Sequence, residues 1–390
     1  MAIKRGLRAA VVAHLLMLSG ISYGADADLN TRMDALEKSV AQMGSASSHG
    51  DLGTPVHGFV DIDYGNASKD YDPRAPRGFG LGNFDLYLTP QLGERVRGLV
   101  EYVAEVDEDG SIAVDLERLQ AGYSFNDMAN LWAGRFHSPY GYWNTAFHHG
   151  AHMQLSTNRP KFIDFEDKGG ILPAHTVGLW LTGRVGAGTG KLVYDLYGGN
   201  GSRIIDGSLD MNNFRDDNQN RAIGVRVGYQ FRGALEGLLI GVHGLREEVD
   251  SYDASDTTTS RTRLNMTGGY AYYDNDDWEL IAEYYRFDDK DLGGNTGSHV
   301  SNAGYVQIGR TFFDALTPYA RWERASINNG DAYFTEQESG QSYTRDLAGV
   351  RYDLSPNAAI KLEVDDTRQD VSGSAPIHYN EVRAQYAFAF

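Results

Sequence analysis

The residue types able to do chemistry crowd into one stretch, 138–174, which reads SPYGYWNTAFHHGAHMQLSTNRPKFIDFEDKGGILPA. Asp164, Glu166 and Asp167 form an acidic cluster, with Arg159, Lys161 and Lys168 around it. Carboxylates on a loop facing guanidinium groups on a wall set up a transverse field, which sorts passing ions if the gap is narrow and its walls are poorly polarisable. Five of the eleven histidines, His137, His148, His149, His152 and His175, fall in or beside the stretch. His148 and His152 stand four apart, a spacing at which two imidazoles on one helical turn share a metal. No acid follows at the spacing of a hydrolytic zinc motif, so the expectation is polar lining or a pH-sensitive clasp, with no metal or cofactor. Tyr140, Tyr142, Trp143 and Phe147 either stack on sugar rings or pack the loop against its surroundings. Catalysis needs a nucleophile, a base and an orienting group. Ser138 with His137 and Ser156 with His152 are the best pairs on offer, and neither has a recognisable frame, so no enzyme is expected.

The elements that must position this loop are strands. The last stretch, Ile377 to Phe390, alternates without a break: His378, Asn380, Val382, Ala384, Tyr386, Phe388 and Phe390 on one face, Tyr379, Glu381, Arg383 and Gln385 on the other. Period two means a strand with one apolar and one polar face. The same reading gives sixteen strands, at 56–65, 82–91, 95–106, 111–123, 129–137, 175–184, 190–199, 221–232, 235–247, 263–274, 277–288, 299–312, 316–326, 342–353, 356–366 and 377–390. Connections after even strands are short, and most of those after odd strands are long. Such segregation, with an even count, predicts an all-β, 16-stranded antiparallel transmembrane β-barrel over 56–390. In the fifteenth strand Ala358, Ile360, Leu362 and Val364 oppose Lys361, Glu363 and Asp365. In the third, Val96, Val100, Tyr102, Ala104 and Val106 oppose Arg95, Arg97, Glu101 and Glu105; in the eleventh, Trp278, Leu280, Ala282 and Tyr284 oppose Glu279, Glu283 and Arg286. Charges at every second position predict a wet interior rather than a packed core. Aromatics beside the short turns (Phe84, Tyr123, Trp132, Tyr229, Phe231, Trp278, Phe312, Tyr352 and Tyr386) predict an interfacial girdle.

Ahead of the strands, residues 1–24 read as a signal peptide: Lys4, Arg5 and Arg8, then a short apolar core from Ala9 to Leu18, then small residues. Leu29, Met33, Leu36, Val40 and Met43 follow at heptad spacing, predicting a short periplasmic coiled-coil helix over 25–43 that holds copies of the chain together; 44–55 is a linker. The formal charge of -18 excludes nucleic acid as a partner, which needs a basic surface. With no cysteine, disulfides and thiolate chemistry are excluded, and no later apolar run reaches the ~20 residues of a membrane helix.

The final strand, with Tyr386, Phe388 and Phe390 at alternate positions, resembles the C-terminal strand of Gram-negative outer-membrane β-barrels, where such aromatics are read by the barrel-assembly machinery. The heptad segment, with GFVDIDYG and RPKFIDFEDKGGILPAH, most resembles the phosphate-selective and dicarboxylate porin superfamily. That resemblance implies a homotrimeric porin in the bacterial outer membrane, in contact with lipid and lipopolysaccharide. It also implies a water-filled channel for small polar or anionic solutes, narrowed where the third outer loop, 138–174, folds inward. Wall residues Arg95, Arg97, Arg118 and Arg135 would then face loop residues Arg159, Lys161, Asp164, Glu166 and Asp167 at the constriction. The chain has 27 Arg and 8 Lys, and the rigid guanidinium fork suits carboxylate and phosphate.

Overall fold

The computed structural model describes residues 55–390 apart from 69–76, 91, 107–109, 148–149, 165–169, 211–213, 215, 217 and 276. The expected signal peptide, coiled-coil helix and all but the end of the linker lie outside the described residues, as do His148, His149, Glu166, Asp167 and Lys168.

All sixteen expected strands are present. They are β1 (Val56–Ala67), β2 (Gly78–Leu88), β3 (Val96–Val106), β4 (Ile112–Asn126), β5 (Ala129–His137), β6 (His175–Ala187) and β7 (Gly190–Gly199), followed after an interruption by β10 (Ala222–Gln230), β11 (Leu238–Tyr252), β12 (Thr258–Asp274), β13 (Trp278–Asp291), β14 (Ser298–Arg310), β15 (Leu316–Ser326), β16 (Tyr343–Ser355), β17 (Ala358–Gln369) and β18 (Ile377–Ala389). The interruption is a small hairpin, β8 (Arg203–Ile205) and β9 (Ser208–Asp210), whose first strand lies parallel to the end of β11. Each barrel strand pairs antiparallel with its neighbours, β7 with β10 across the hairpin, and β1 with β18 closes the ring. Closure reaches the last residue, because Gly58 and Phe390 exchange two backbone hydrogen bonds of 3.1 Å. The barrel ring itself therefore presents no strand edge to template aggregation.

Alternation explains why these residues make these strands. On β17, Ile360, Leu362 and Val364 are half exposed on the outside, while Lys361, Glu363 and Asp365 are buried inside. On β13 the outward row runs Trp278, Leu280, Ala282, Tyr284 and then Arg286, so Arg286 belongs to the outer face and not, as expected, to the polar one. From Trp278 to Arg286 a strand climbs about 27 Å at ~3.4 Å per residue. A lean of roughly 40° leaves about 21 Å of height, close to the ~25 Å apolar band of a membrane barrel. Outward Phe84, Tyr123, Trp278, Phe312, Tyr352 and Tyr386 are exposed near the short turns, as a girdle requires. Trp132 is the exception and faces the lumen, where its ring neighbours Trp180.

Two further expectations are corrected. The interior is not uniformly wet. Loop aromatics and inward residues of β11–β16, among them Trp143, Phe162, Leu264, Ile281, Tyr285, Phe287 and Tyr343, form one buried apolar cluster. Loop lengths also segregate less sharply than expected. Strands β11, β12 and β13 run on beyond their apolar rows, so the outer connections 253–257 and 292–297 are as short as several inner turns.

Candidate functional site

The loop from 138 to 174 leaves the top of β5, enters the barrel and returns to β6. Among its described residues are one helical turn, α1 (Trp143–Ala146), and a 3-10 turn at Lys161–Ile163. Its backbone is bonded to inward side chains of successive strands. On β13, the Glu283 carboxylate accepts from the amides of Tyr142 (2.9 Å) and Trp143 (2.7 Å) and from the hydroxyls of Tyr285 and Tyr305. On β15, Arg321 donates to the Ser156 hydroxyl (2.8 Å) and the carbonyls of Asn158 (2.9 Å) and Arg159 (3.2 Å), while Glu323 accepts from the Lys161 amide (2.8 Å). Arg351 on β16 donates to the carbonyls of His152 and Gln154. On β17, Lys361 donates to the carbonyls of Ala151 and Ser156, and Glu363 accepts from Thr157. A loop with little regular structure carries many orphan backbone groups, and these charged side chains satisfy them. Apolar burial fixes the same face: Tyr140, Tyr142, Trp143 and Phe147 are at most 2% exposed, and Tyr142 stacks on Tyr272 at 4.1 Å.

Docking on β13–β18 leaves the opposite side of the lumen open. There a cavity is walled by β3–β7 and β10–β12, with Thr145 as its loop contribution. Arg97, Arg118, Arg184 and Arg226 line it, with Asp127, Asp195, Gln120, Asn130, Trp132 and Trp180. Asp195 accepts from Arg226 (2.7 Å) and from the Trp180 indole (3.0 Å), so that acid is engaged. Arg226 also reaches the Gly141 carbonyl (3.0 Å) and the Thr145 hydroxyl (2.7 Å), tying the loop's first turn to the cavity wall.

The expected constriction residues are therefore dispersed. Arg97 and Arg118 line the cavity, the latter paired with Glu101 and lying over the Tyr87 ring at 5.3 Å. Arg135 is buried between the top of β5 and β4, donating to the Leu116 carbonyl (2.5 Å) and the His175 ring (3.1 Å). Arg95 is exposed in the short turn ahead of β3, at the far end of the barrel from the loop's exit. Arg159 meets β15 through its carbonyl. Lys161 is half-buried, its ammonium 6.0 Å from the Tyr343 ring centre, and desolvation, then Arg345, lowers its pKa. Asp164 follows the 3-10 turn and, through its charge, partly offsets that fall. Among the described residues, the loop meets the wall at Arg159 and Lys161 through backbone groups. What the sequence reading missed is the alternation Trp180, Thr182, Arg184 on β6 and Arg226 on β10, whose parity alone would have put them inside.

The loop aromatics are covered, so they offer no stacking surface to a passing sugar. Neither serine–histidine pair forms. Ser138 bonds to Thr176 (2.7 Å), and Ser156 donates to the Asn158 carbonyl (2.8 Å). Of the histidine cluster, His152 is described. Burial first, then Arg351 and Lys361, pushes its imidazole down to about 4, so it stays neutral at physiological pH. A different group, Glu117, His137 and His175, brings ligand-type atoms within 4.8 Å of one another. Arg135 donates to His175 Nδ1, which leaves the proton on Nε2, the atom that meets Glu117 at 2.9 Å. Glu117 is thus already engaged by His175, and the Arg135 guanidinium beside them carries charge that opposes a dication.

The fold is similar to that of the anion-selective porin from Comamonas acidovorans, with a TM-score of 0.60 and 13% identity over 87% of this chain and 99% of that one. It is likewise similar to the outer membrane protein OmpT of Vibrio cholerae (TM-score 0.56, 12% identity, 88% and 99% covered) and to the outer membrane channel DcaP of Acinetobacter baumannii (TM-score 0.54, 13% identity, 88% and 99% covered). At such identities the likeness is one of fold. No family description matches the sequence, and no curated protein does.

Proposed function

We propose that the protein is a channel of the bacterial outer membrane that lets small polar and anionic solutes diffuse passively through a water-filled lumen. The observation that carries this reading is the docking of loop 138–174 on one half of the inner wall, which leaves an arginine-lined cavity along the other half. In this reading the loop narrows the lumen, and Arg97, Arg118, Arg184 and Arg226 set its preference; Arg95 and Arg135 have no part at the neck. Guanidinium groups that outnumber unengaged acids along a narrow path favour anions. The porin from Comamonas acidovorans is described as anion-selective, which supports the same sign.

The remaining parts follow the same scheme. Residues 1–24 direct export and are removed, and the final aromatic strand is read by the assembly machinery. The outer face meets lipid and lipopolysaccharide, and the heptads of 25–43 help hold three barrels together. OmpT of Vibrio cholerae is described in a trimer form, which supports the last point. Solute passage is tested by swelling of proteoliposomes in isotonic solutes of graded size. Swelling that falls with solute size and is faster for small carboxylates than for neutral solutes of equal mass is expected. Liposomes that stay as tight as protein-free ones would overturn the channel reading.

A further inference from the structure

Four large aromatic side chains lie flat on inward glycines of a neighbouring strand. A β-carbon placed on Gly224 would sit 2.0 Å from Tyr197, on Gly241 2.4 Å from Tyr270, on Gly349 2.4 Å from Tyr319, and on Gly122 2.4 Å from Trp132. Only glycine allows a ring to rest on the backbone so closely. Three of these rings, Tyr197, Tyr270 and Tyr319, are covered on their second face as well and are at most 5% exposed. Trp132 is not: it lines the open cavity and stays partly exposed. Its inner face is against Gly122, its neighbour Trp180 stands 6.5 Å away with the rings 26° apart, and its other face looks into the lumen.

Register places the surroundings. Arg97, Gly122, Trp132 and Trp180 are consecutive cross-strand partners, so a position that carries no side chain, Gly122, separates Arg97 from Trp132, and both line the cavity. One row towards the outer rim the partners are Gln120, Gly134 and Gly178, where the buried Phe136 ring packs 5.5 Å from Trp180. One row the other way they are Asn130 and Thr182, both polar. Arg97 makes no ion pair among the described residues. A flat aromatic surface, room above it, a cation within reach at its edge and polar groups on both sides are the parts of a binding site, not merely of a lining. The aromatic face suits a ring, and the guanidinium fork suits a carboxylate.

We infer that Trp132 and Arg97 form a binding station for a carboxylate that carries a six-membered ring, the ring stacked on the indole and the carboxylate on the guanidinium. This rests on the channel reading for its use, because a solute held there on its way through is one the channel favours. Binding itself does not need an open channel. The test is therefore titration calorimetry of the detergent-solubilised full chain with benzoate and galacturonate, against acetate and glucose. Both ring carboxylates are expected to bind at least tenfold tighter than acetate or glucose. The better of the two tells whether the ring is aromatic or a sugar. Trp132→Ala should weaken ring carboxylates about tenfold, equal to about 1.4 kcal/mol, and leave acetate unchanged, while Trp132→Phe restores most of the loss. Arg97→Gln should remove the preference of galacturonate over glucose. Ring carboxylates that bind no better than acetate, or a Trp132→Ala chain that binds as the parent does, overturn the station. Current steps in a bilayer together with either of those results would keep the channel and discard the station. Tight binding without steps would do the reverse.

Discussion

At the scale of single residues, Glu283 shows how much rests on one side chain. Its carboxylate gathers two loop amides and two tyrosine hydroxyls inside the barrel, where water does not replace a lost partner. Each buried donor left without an acceptor costs about 1–3 kcal/mol. Glu283→Ala is expected to free the start of the loop and make single-channel current noisier, with the barrel still folded by electrophoretic mobility; a quiet current would contradict this. His152 gives the pH dependence. Its imidazole in the folded chain takes a proton only near pH 4, against an ordinary 6.5, so the folded state holds the neutral form. Above about 6.5 neither state is protonated there. Between 6.5 and 4 the unfolded chain gains the proton first, so the stability this site contributes is lost as pH falls through that window. His152→Gln should flatten the dependence of melting temperature on pH over it, and an unchanged slope would sink the assignment. Residues were legible in the sequence where parity decides: Lys361 and Glu363 inside, Ile360 and Leu362 outside. Roles were not, because parity puts a side chain in the lumen without saying whether loop or water meets it. Arg321, Glu323 and Lys361 meet the loop, whereas Arg97 meets the cavity.

At the scale of elements, strand periodicity is a local property and was read with bounds close to those observed. The extensions of β11–β13 were missed because their outer ends alternate polar with polar, so no apolar row marks them. The loop's inward path depends on partners more than a hundred residues away, such as Thr157 on Glu363, and no window of sequence contains both. Docking makes a checkable claim about access. Lys161 lies where Arg321 and Glu323 hold the backbone, so trypsin should spare the Lys161–Phe162 bond in the folded parent; Arg159 precedes Pro160 and is no trypsin site. Paired substitution of Arg321→Met with Glu323→Gln keeps volume while removing the acceptor and donor charges. It should expose that bond and speed cleavage there at least tenfold, judged by fragment mass. Equal cleavage of parent and variant would show that the wall does not hold the loop.

At the scale of the whole molecule, the ring is closed by the first and last strands, and the last residue takes part. Phe390 exchanges two hydrogen bonds with Gly58 and sets its ring beside Phe84 at 6.2 Å. Two backbone bonds at about 1 kcal/mol each, with an aromatic contact of about 1, give roughly 3 kcal/mol. A chain lacking Phe390 should therefore unfold at lower temperature in the heat-modifiability assay, and an unchanged transition would contradict the seam. The acidic formal charge of -18 gives no guide to selectivity, because most acids pair with wall arginines or lie outside the cavity. In the proposed channel, ion sorting falls to the local set Arg97, Arg118, Arg184 and Arg226, beside a loop held to the other side. The most direct test is the reversal potential of the purified protein in a planar bilayer under a potassium chloride gradient. Discrete steps with a reversal potential favouring chloride, shifted towards potassium by Arg97→Glu with Arg184→Glu, are what this arrangement predicts. Steps favouring potassium in the parent, or no steps at all, would contradict it.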